Sequence, residues 1–458
     1  MSRTAKTFWL GVLVVGALIF NPLGSLSSSA QRAQGPVATT TTARNAALVA
    51  ATTEVLKETS EIRQLSIMSP VQSSTQSRVE IERMLIKNLN EETTPAQIHA
   101  SEVTLKKLGL APADFQYRAL MIRMLTEQVA GYYDPKTRDF HLADWIDLDG
   151  QKPVMAHELT HALQDQHFNL RRFEHWPKGD SDAELAAHAL IEGDATLTMS
   201  LYVLKNPLRA LAFLKSLGAS GMKSEELDKA PRALRETLLF PYQEGLMWTR
   251  RLYGQGGWEQ VSKAFTDLPQ STEQILHPEK YLTREAPVKV NLPDLTMLLS
   301  GPRRGAAKSV APARGGASRT PAAWKRLDTD VNGEWSFYLI LDQFLKAPIE
   351  SRRAAAGWDG DRYAVYEGPM GQVLYVFLSA WDTENDAREF FDAYVKRTER
   401  RYAGSTPIGS TADSQSAAPL KSFRTTEGTV VIELRGNRVI VLEGLPDNAN
   451  GRSLLKAF

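Results

Sequence analysis

The run His157-Glu158-Leu159-Thr160-His161 is where chemistry is most legible. On a helix, residues four apart differ by about 40° in azimuth, so both imidazoles leave one face a turn apart. That spacing lets two ring nitrogens reach one tetrahedral Zn²⁺ at about 2.0–2.1 Å. Glu158 follows the first imidazole and can stand beside the open metal position, where it takes the proton of a bound water. The metal lowers that water's pKa, and the carboxylate relays the proton to the leaving group. The competing account is an ordinary helix with two solvent-facing histidines. The setting between Val154-Met155 and Ala162-Leu163 favours zinc.

The third ligand is open among three residues. His167 lies ten positions after His157, the spacing of H-E-x-x-H-x-x-G-x-x-H, but Gln164 stands where that pattern has glycine. If the helix runs on, His167 sits about 280° round from His157 and faces away. Glycine is needed there to break the helix and swing the third histidine back. Glu192, in Ala189-Leu-Ile-Glu-Gly-Asp-Ala195, is the better candidate. A carboxylate from an antiparallel neighbouring helix completes a His₂Glu site with one position open. His188, a turn before Glu192 on the same face, could replace it or line the site. Asp165 and Asp194 are candidates for orienting an imidazole; the alternative for both is a solvated helix face.

These residues need helices to hold them. Pro153 is favoured at a first helical position and opens a helix through Gln166. More helix is expected at 181–204, 208–217, 231–253 and 257–266, and apolar periodicity predicts helices across 45–128. Between them, two β-prone runs at 129–142 flank Asp134-Pro135, a hairpin signal. Residues 301–322 are small, Pro and basic, and read as a linker. Beyond lies a smaller unit with helices near 333–347 and 383–401 and strands near 362–367 and 372–379. A hairpin at 429–443 turns at Gly436-Asn437. Trp358-Asp359-Gly360-Asp361 reads as a turn, too sparse in acids for a calcium loop. The expected fold class is α+β: a mainly helical unit at 45–300 with a short β hairpin, then a small α+β unit at 323–458.

Composition narrows the alternatives. The 458 residues contain 54 Lys+Arg against 53 Asp+Glu, a formal charge of +1, so no basic surplus calls for nucleic acid. There is no cysteine, which excludes disulfides, thiolate metal sites and a cysteine nucleophile. Any metal falls to His, Asp or Glu. Arg3 and Lys6, the apolar run Phe8–Phe20 and the small residues up to Ala30 have the layout of a secretory signal peptide, followed by a Thr-rich leader over 31–44. The run is short for a bilayer span, which needs about 20 residues. The chain is therefore expected in the secreted or periplasmic space, with the membrane involved only if that segment stays uncleaved.

Val154-Met-Ala-His-Glu-Leu-Thr-His-Ala-Leu-Gln-Asp-Gln166 followed by Ile191-Glu-Gly-Asp-Ala-Thr196 resembles the zinc core of gluzincin-type metallopeptidases. It is similar, more closely, to a group of exported, largely uncharacterised bacterial HExxH proteins. Glu127–Pro135 and Ser271–Tyr281 extend the resemblance, so that roughly 45–285 is covered. It implies a zincin-like domain, Zn²⁺ on His157, His161 and Glu192, and Glu158 as general base and acid. Thermolysin-type enzymes carry an acid four residues after the ligand glutamate, where this chain has Thr196. By the same resemblance the hairpin, at Gly131, Tyr132 and Tyr133, supplies an edge strand that pairs with an extended peptide; a purely structural hairpin is the alternative. His277 and Tyr281 are candidates for the neutral donor to an oxyanion, against a capped turn and a core tyrosine. The expected activity is hydrolysis of a peptide or protein substrate. A zinc hydrolase of a non-protein amide and a non-catalytic binding protein with a structural metal stand as alternatives.

Overall fold

The computed structural model describes residues 41–145, 148–175, 179–211, 225–300, 323–408, 419–447 and 449–458. The expected signal peptide, most of the leader, the linker and the end of the 208–217 helix lie outside the described residues. Among the described residues no helix is long and apolar enough to cross a membrane.

The helical half begins with α1 (Thr41–Arg63), β1 (Gln72–Gln76), α2 (Arg78–Glu92), α3 (Pro95–Lys107) and α4 (Tyr117–Gln128). Ser77 with Glu80 and Thr94 with Gln97 form capping boxes that start α2 and α3. β1 departs from the all-helical expectation for 45–128. Its sequence, Gln-Ser-Ser-Thr-Gln, has no apolar alternation to announce a strand, and its stability comes from pairing in parallel with a later segment. That segment is β3 (Asp139–Ala143), which also pairs antiparallel with β2 (Gly131–Asp134), giving a sheet of order β1-β3-β2. The hairpin turns where Asp134-Pro135 predicts.

Next come α5 (Lys152–Phe168), α6 (Ser181–Leu204), α7 (Glu225–Lys229) and α8 (Arg232–Ala264). α8 joins the two helices expected at 231–253 and 257–266, broken by non-helical backbone at Gly256 and Gly257. α6 and α8 touch main chain to main chain. A Cβ on Gly193 would overlap the carbonyl oxygen of Gly245, and a Cβ on Gly245 that of Ala189. Gly193→Ala is therefore expected to cost about 1–3 kcal/mol by overpacking, read by urea unfolding; a variant as stable as the parent would show the crossing to be loose.

Short helices α9 (Thr272–Leu276), α10 (Pro278–Leu282) and α11 (Thr296–Ser300) lead into β4 (Lys325–Asp330), α12 (Gly333–Leu345), α13 (Pro348–Ala355), β5 (Trp358–Glu367), β6 (Val373–Trp381) and α14 (Glu384–Arg401). The chain ends with β7 (Thr406–Pro407), β8 (Leu420–Thr425), β9 (Gly428–Arg435), β10 (Arg438–Leu445) and α15 (Gly451–Leu455). All neighbours in the sheet β4-β5-β6-β10-β9-β8-β7 are antiparallel. Trp358–Asp361, expected as a turn, is the start of β5, with a bulge between Trp358 and Gly360. Gly360 lies against the carbonyl oxygen of Val288, leaving no space for a side chain.

The fold is α+β. Its halves share one core: Leu190, Phe240, Trp248 and Leu252 of the helical half cluster with Trp335, Phe337, Phe377 and Phe390. Leu292, Leu295 and Leu299 pack on the opposite face of the large sheet, against Tyr366, Val376 and Leu442. The segment just before residue 300 thus lies on the second unit.

Candidate metal centre

α5 is buried along every face from Pro153 to Asp165, enclosed by α1, α6 and β2. Its one polar hydroxyl is satisfied internally, Thr160 Oγ1 donating to the Ala156 carbonyl at 2.7 Å. The helix runs straight through Gln164 and ends at Asn169, in left-handed backbone at φ 55°. His167 is accordingly turned away, with its Nε2 2.8 Å from the Ser66 carbonyl oxygen. It does not join the other histidines.

His157, His161 and Glu192 do come together. Glu192 Oε2 lies 3.0 Å from His157 Nε2 and 3.4 Å from His161 Nε2. Ligands at zinc distances in a tetrahedron are about 3.3 Å apart, and Glu192 Oε2 stands at about that spacing from each imidazole. A Glu158 oxygen also falls within 4.8 Å of both imidazoles. The two carboxylates are told apart by their partners. Glu158 Oε2 accepts from the Tyr133 backbone N–H at 2.8 Å, while its Oε1 is buried with no hydrogen-bond partner among the described residues. Glu192 faces both imidazoles and could complete a His₂Glu set; Glu158 keeps one oxygen without a hydrogen-bond partner beside it.

Charge follows from burial and these contacts. Burial drives His157 down to about 4, against the pull of Glu192. Burial also opposes charge on His161, but Glu192 and Glu158 outweigh it and lift the imidazole to about 9. Glu192 is pushed up by burial and held well below the usual carboxylate range by His161 and His157. Burial raises Glu158 to about 8, with His161 opposing and Glu192 adding.

His188 is half-buried one turn before Glu192, and desolvation of its ring lowers it to about 4, with Glu192 near enough to oppose. The two aspartates divide. Asp165 accepts from the Tyr133 hydroxyl at 3.0 Å and the Leu170 N–H at 2.9 Å, so it braces the hairpin rather than orienting an imidazole. Asp194 accepts from Gln164 Nε2 at 2.9 Å and Arg63 Nε at 2.6 Å, and Gln164 Oε1 lies 2.9 Å from His161 Nδ1.

Two expectations are corrected. His277 Nε2 lies 3.0 Å from Glu334 Oε1 of α12, and the Tyr281 hydroxyl donates to the Asp267 carbonyl at 2.8 Å, with its ring edge-on to Trp248. Neither bonds to the metal-site residues; the Ser271–Tyr281 segment docks the sheet unit onto the helices, where Thr272 also joins Asp182 and the Trp335 N–H. On the hairpin, β2 is the edge strand beside α5, as expected. The Tyr132 and Tyr133 hydroxyls are committed to Gln76 and Asp165, the Tyr133 N–H to Glu158, and Gly131 is buried.

Sequence reading gave no role to Arg63 or to Tyr242, whose ring stacks 6.1 Å from that of His157, and weighed Gln164 only as the residue standing where the longer motif has glycine. The one available signal was Gln164 itself, a buried polar residue in a helix with no polar face.

A family profile described as a domain of unknown function (DUF8575) matches residues 320–454, the large sheet and its helices. No curated protein and no solved structure matches the chain.

Proposed function

We propose that the chain is a zinc-dependent hydrolase of peptide bonds, with a zincin-like centre on His157, His161 and Glu192. The observation that supports this best is the pairing of a ready-spaced His₂Glu set with a separate buried carboxylate, Glu158, one of whose oxygens is tied to Tyr133 and the other free. Structural zinc sites take four protein ligands; three with an adjacent base is the catalytic pattern. The donor set, two imidazoles and a carboxylate without thiolate, fits zinc.

Bound zinc would polarise the scissile carbonyl and acidify a water. Glu158 accepts the proton at Oε1 and returns it to the departing amine. The Tyr133 N–H fixes its other oxygen so that the free one keeps its aim. Burial raises the Glu158 carboxyl, and beside a bound cation it would return toward its ionised, proton-accepting form.

Zinc content of the purified full chain tests this. One equivalent is expected for the wild type and for His167→Ala, and a marked loss for Glu192→Ala, with peptide hydrolysis abolished by a chelator. A wild type without zinc, or an Glu192→Ala variant that keeps it, would remove the centre.

A further inference from the structure

Arg63 closes α1 and is completely buried, although no motif singles it out. Its Nε donates to Asp194 Oδ1 at 2.6 Å and its Nη1 to Ser262 Oγ at 3.1 Å, and its guanidinium lies 4.5 Å from the centre of the Trp258 ring. Asp194 Oδ2 accepts from Gln164 Nε2, which also donates to the Ile191 carbonyl at 3.0 Å.

The chemistry of these groups sets the direction of every bond. Arginine can only donate, so Asp194 is held as an acceptor at both oxygens. The amide nitrogen of Gln164 is committed to two acceptors, which leaves its oxygen facing His161. That oxygen can only accept, so His161 donates from Nδ1 at 2.9 Å. Nε2 is then the nitrogen turned to Glu192 and His157. His157 has no such support: its Nδ1 has no hydrogen-bond partner among the described residues.

We propose that Arg63, Asp194 and Gln164 form a positioning relay that fixes the tautomer and ring orientation of His161 as a metal ligand. The proposal rests on the zinc reading above. It makes α1 part of the working site, because the arginine that holds Asp194 is its last residue. Partners behind a ligating imidazole are worth about 10–100-fold in metal affinity.

The test compares Zn²⁺ affinity, by chelator competition on the full chain, for the wild type, Gln164→Met and Gln164→Glu. The absorption spectrum of the Co²⁺-substituted forms is the second readout. Methionine fills the space but accepts nothing from Nδ1, so binding about 10–100-fold weaker and an altered Co²⁺ spectrum are expected. Glutamate keeps the acceptor and should hold zinc far better than methionine does, even though it loses the donor to Asp194. Wild-type affinity in Gln164→Met overturns the relay. So does an equal loss in both variants, which is what general damage to α5 would give. A wild-type chain that binds no zinc is a separate failure, taking the metal centre itself and the relay with it.

Discussion

Glu158→Gln is expected to lower kcat for peptide hydrolysis by about 10²–10⁴-fold, the usual contribution of a positioned general base, while zinc content stays at the wild-type level. The amide is nearly isosteric with the carboxyl, and its oxygen can still accept from the Tyr133 N–H that now holds Glu158 Oε2. Glu192, not Glu158, sits closest to the two imidazoles. What the substitution removes is the proton acceptor at the unpartnered Oε1. Turnover and metal content measured on the same preparation separate the two roles. Undiminished turnover would exclude Glu158 as the base; lost zinc would make it a ligand.

The second large effect lies outside the candidate metal centre. Arg397 and Glu443 are both fully buried and paired at 2.7 Å. Arg397 also donates to the Leu108 carbonyl at 2.8 Å, and Glu443 accepts from the Tyr394 and Tyr402 hydroxyls at 2.7 and 2.8 Å. Arg397→Met leaves the buried Glu443 carboxylate with Arg401 Nε at 3.3 Å as its remaining ion-pair partner and is expected to cost up to about 3–5 kcal/mol, the range for breaking one side of a buried pair. Urea unfolding reads it, and a loss below about 1 kcal/mol, the value of an exposed pair, would show the site to be hydrated. The same cluster gives a pH dependence. Burial alone would raise the Glu443 carboxyl, but Arg397, Lys107 and Arg401 hold it down at about 2. Its ordinary value is 4.5, so as acid is added the unfolded chain takes up the proton first. The stabilisation is complete above pH 4.5 and drains away between there and about 2. Unfolding midpoints should fall over that window, more in the wild type than in Glu443→Gln.

What the sequence made legible was whatever depends on neighbours along the chain. The His157/His161 pair follows from helical periodicity, and Glu192 from a second apolar helix; both lie where spacing puts them. Asp134-Pro135 and Gly436-Asn437 locate hairpins because turn chemistry is local. Partners that meet only in space left no trace: the Tyr133 N–H on Glu158, Arg63 behind Asp194, and Gly245 against Gly193. β1 was hidden for the same reason, its pairing supplied by a segment more than sixty residues on. His277 and Tyr281 misled because their residue types suit an oxyanion donor, whereas the packing spends one on Glu334 and the other on Asp267.

The continuity of aromatic packing from Phe240 across to Trp335, with ring centres 4.8 Å apart, has a practical corollary. A recombinant piece stopping at residue 300 would turn that face of α8 out to water, and a sticky surface of this sort drives self-association. The half that carries the His157–His161 cluster is therefore no excisable cassette: crystallisation, inhibitor screening or transplantation into another protein has to carry the sheet along with it.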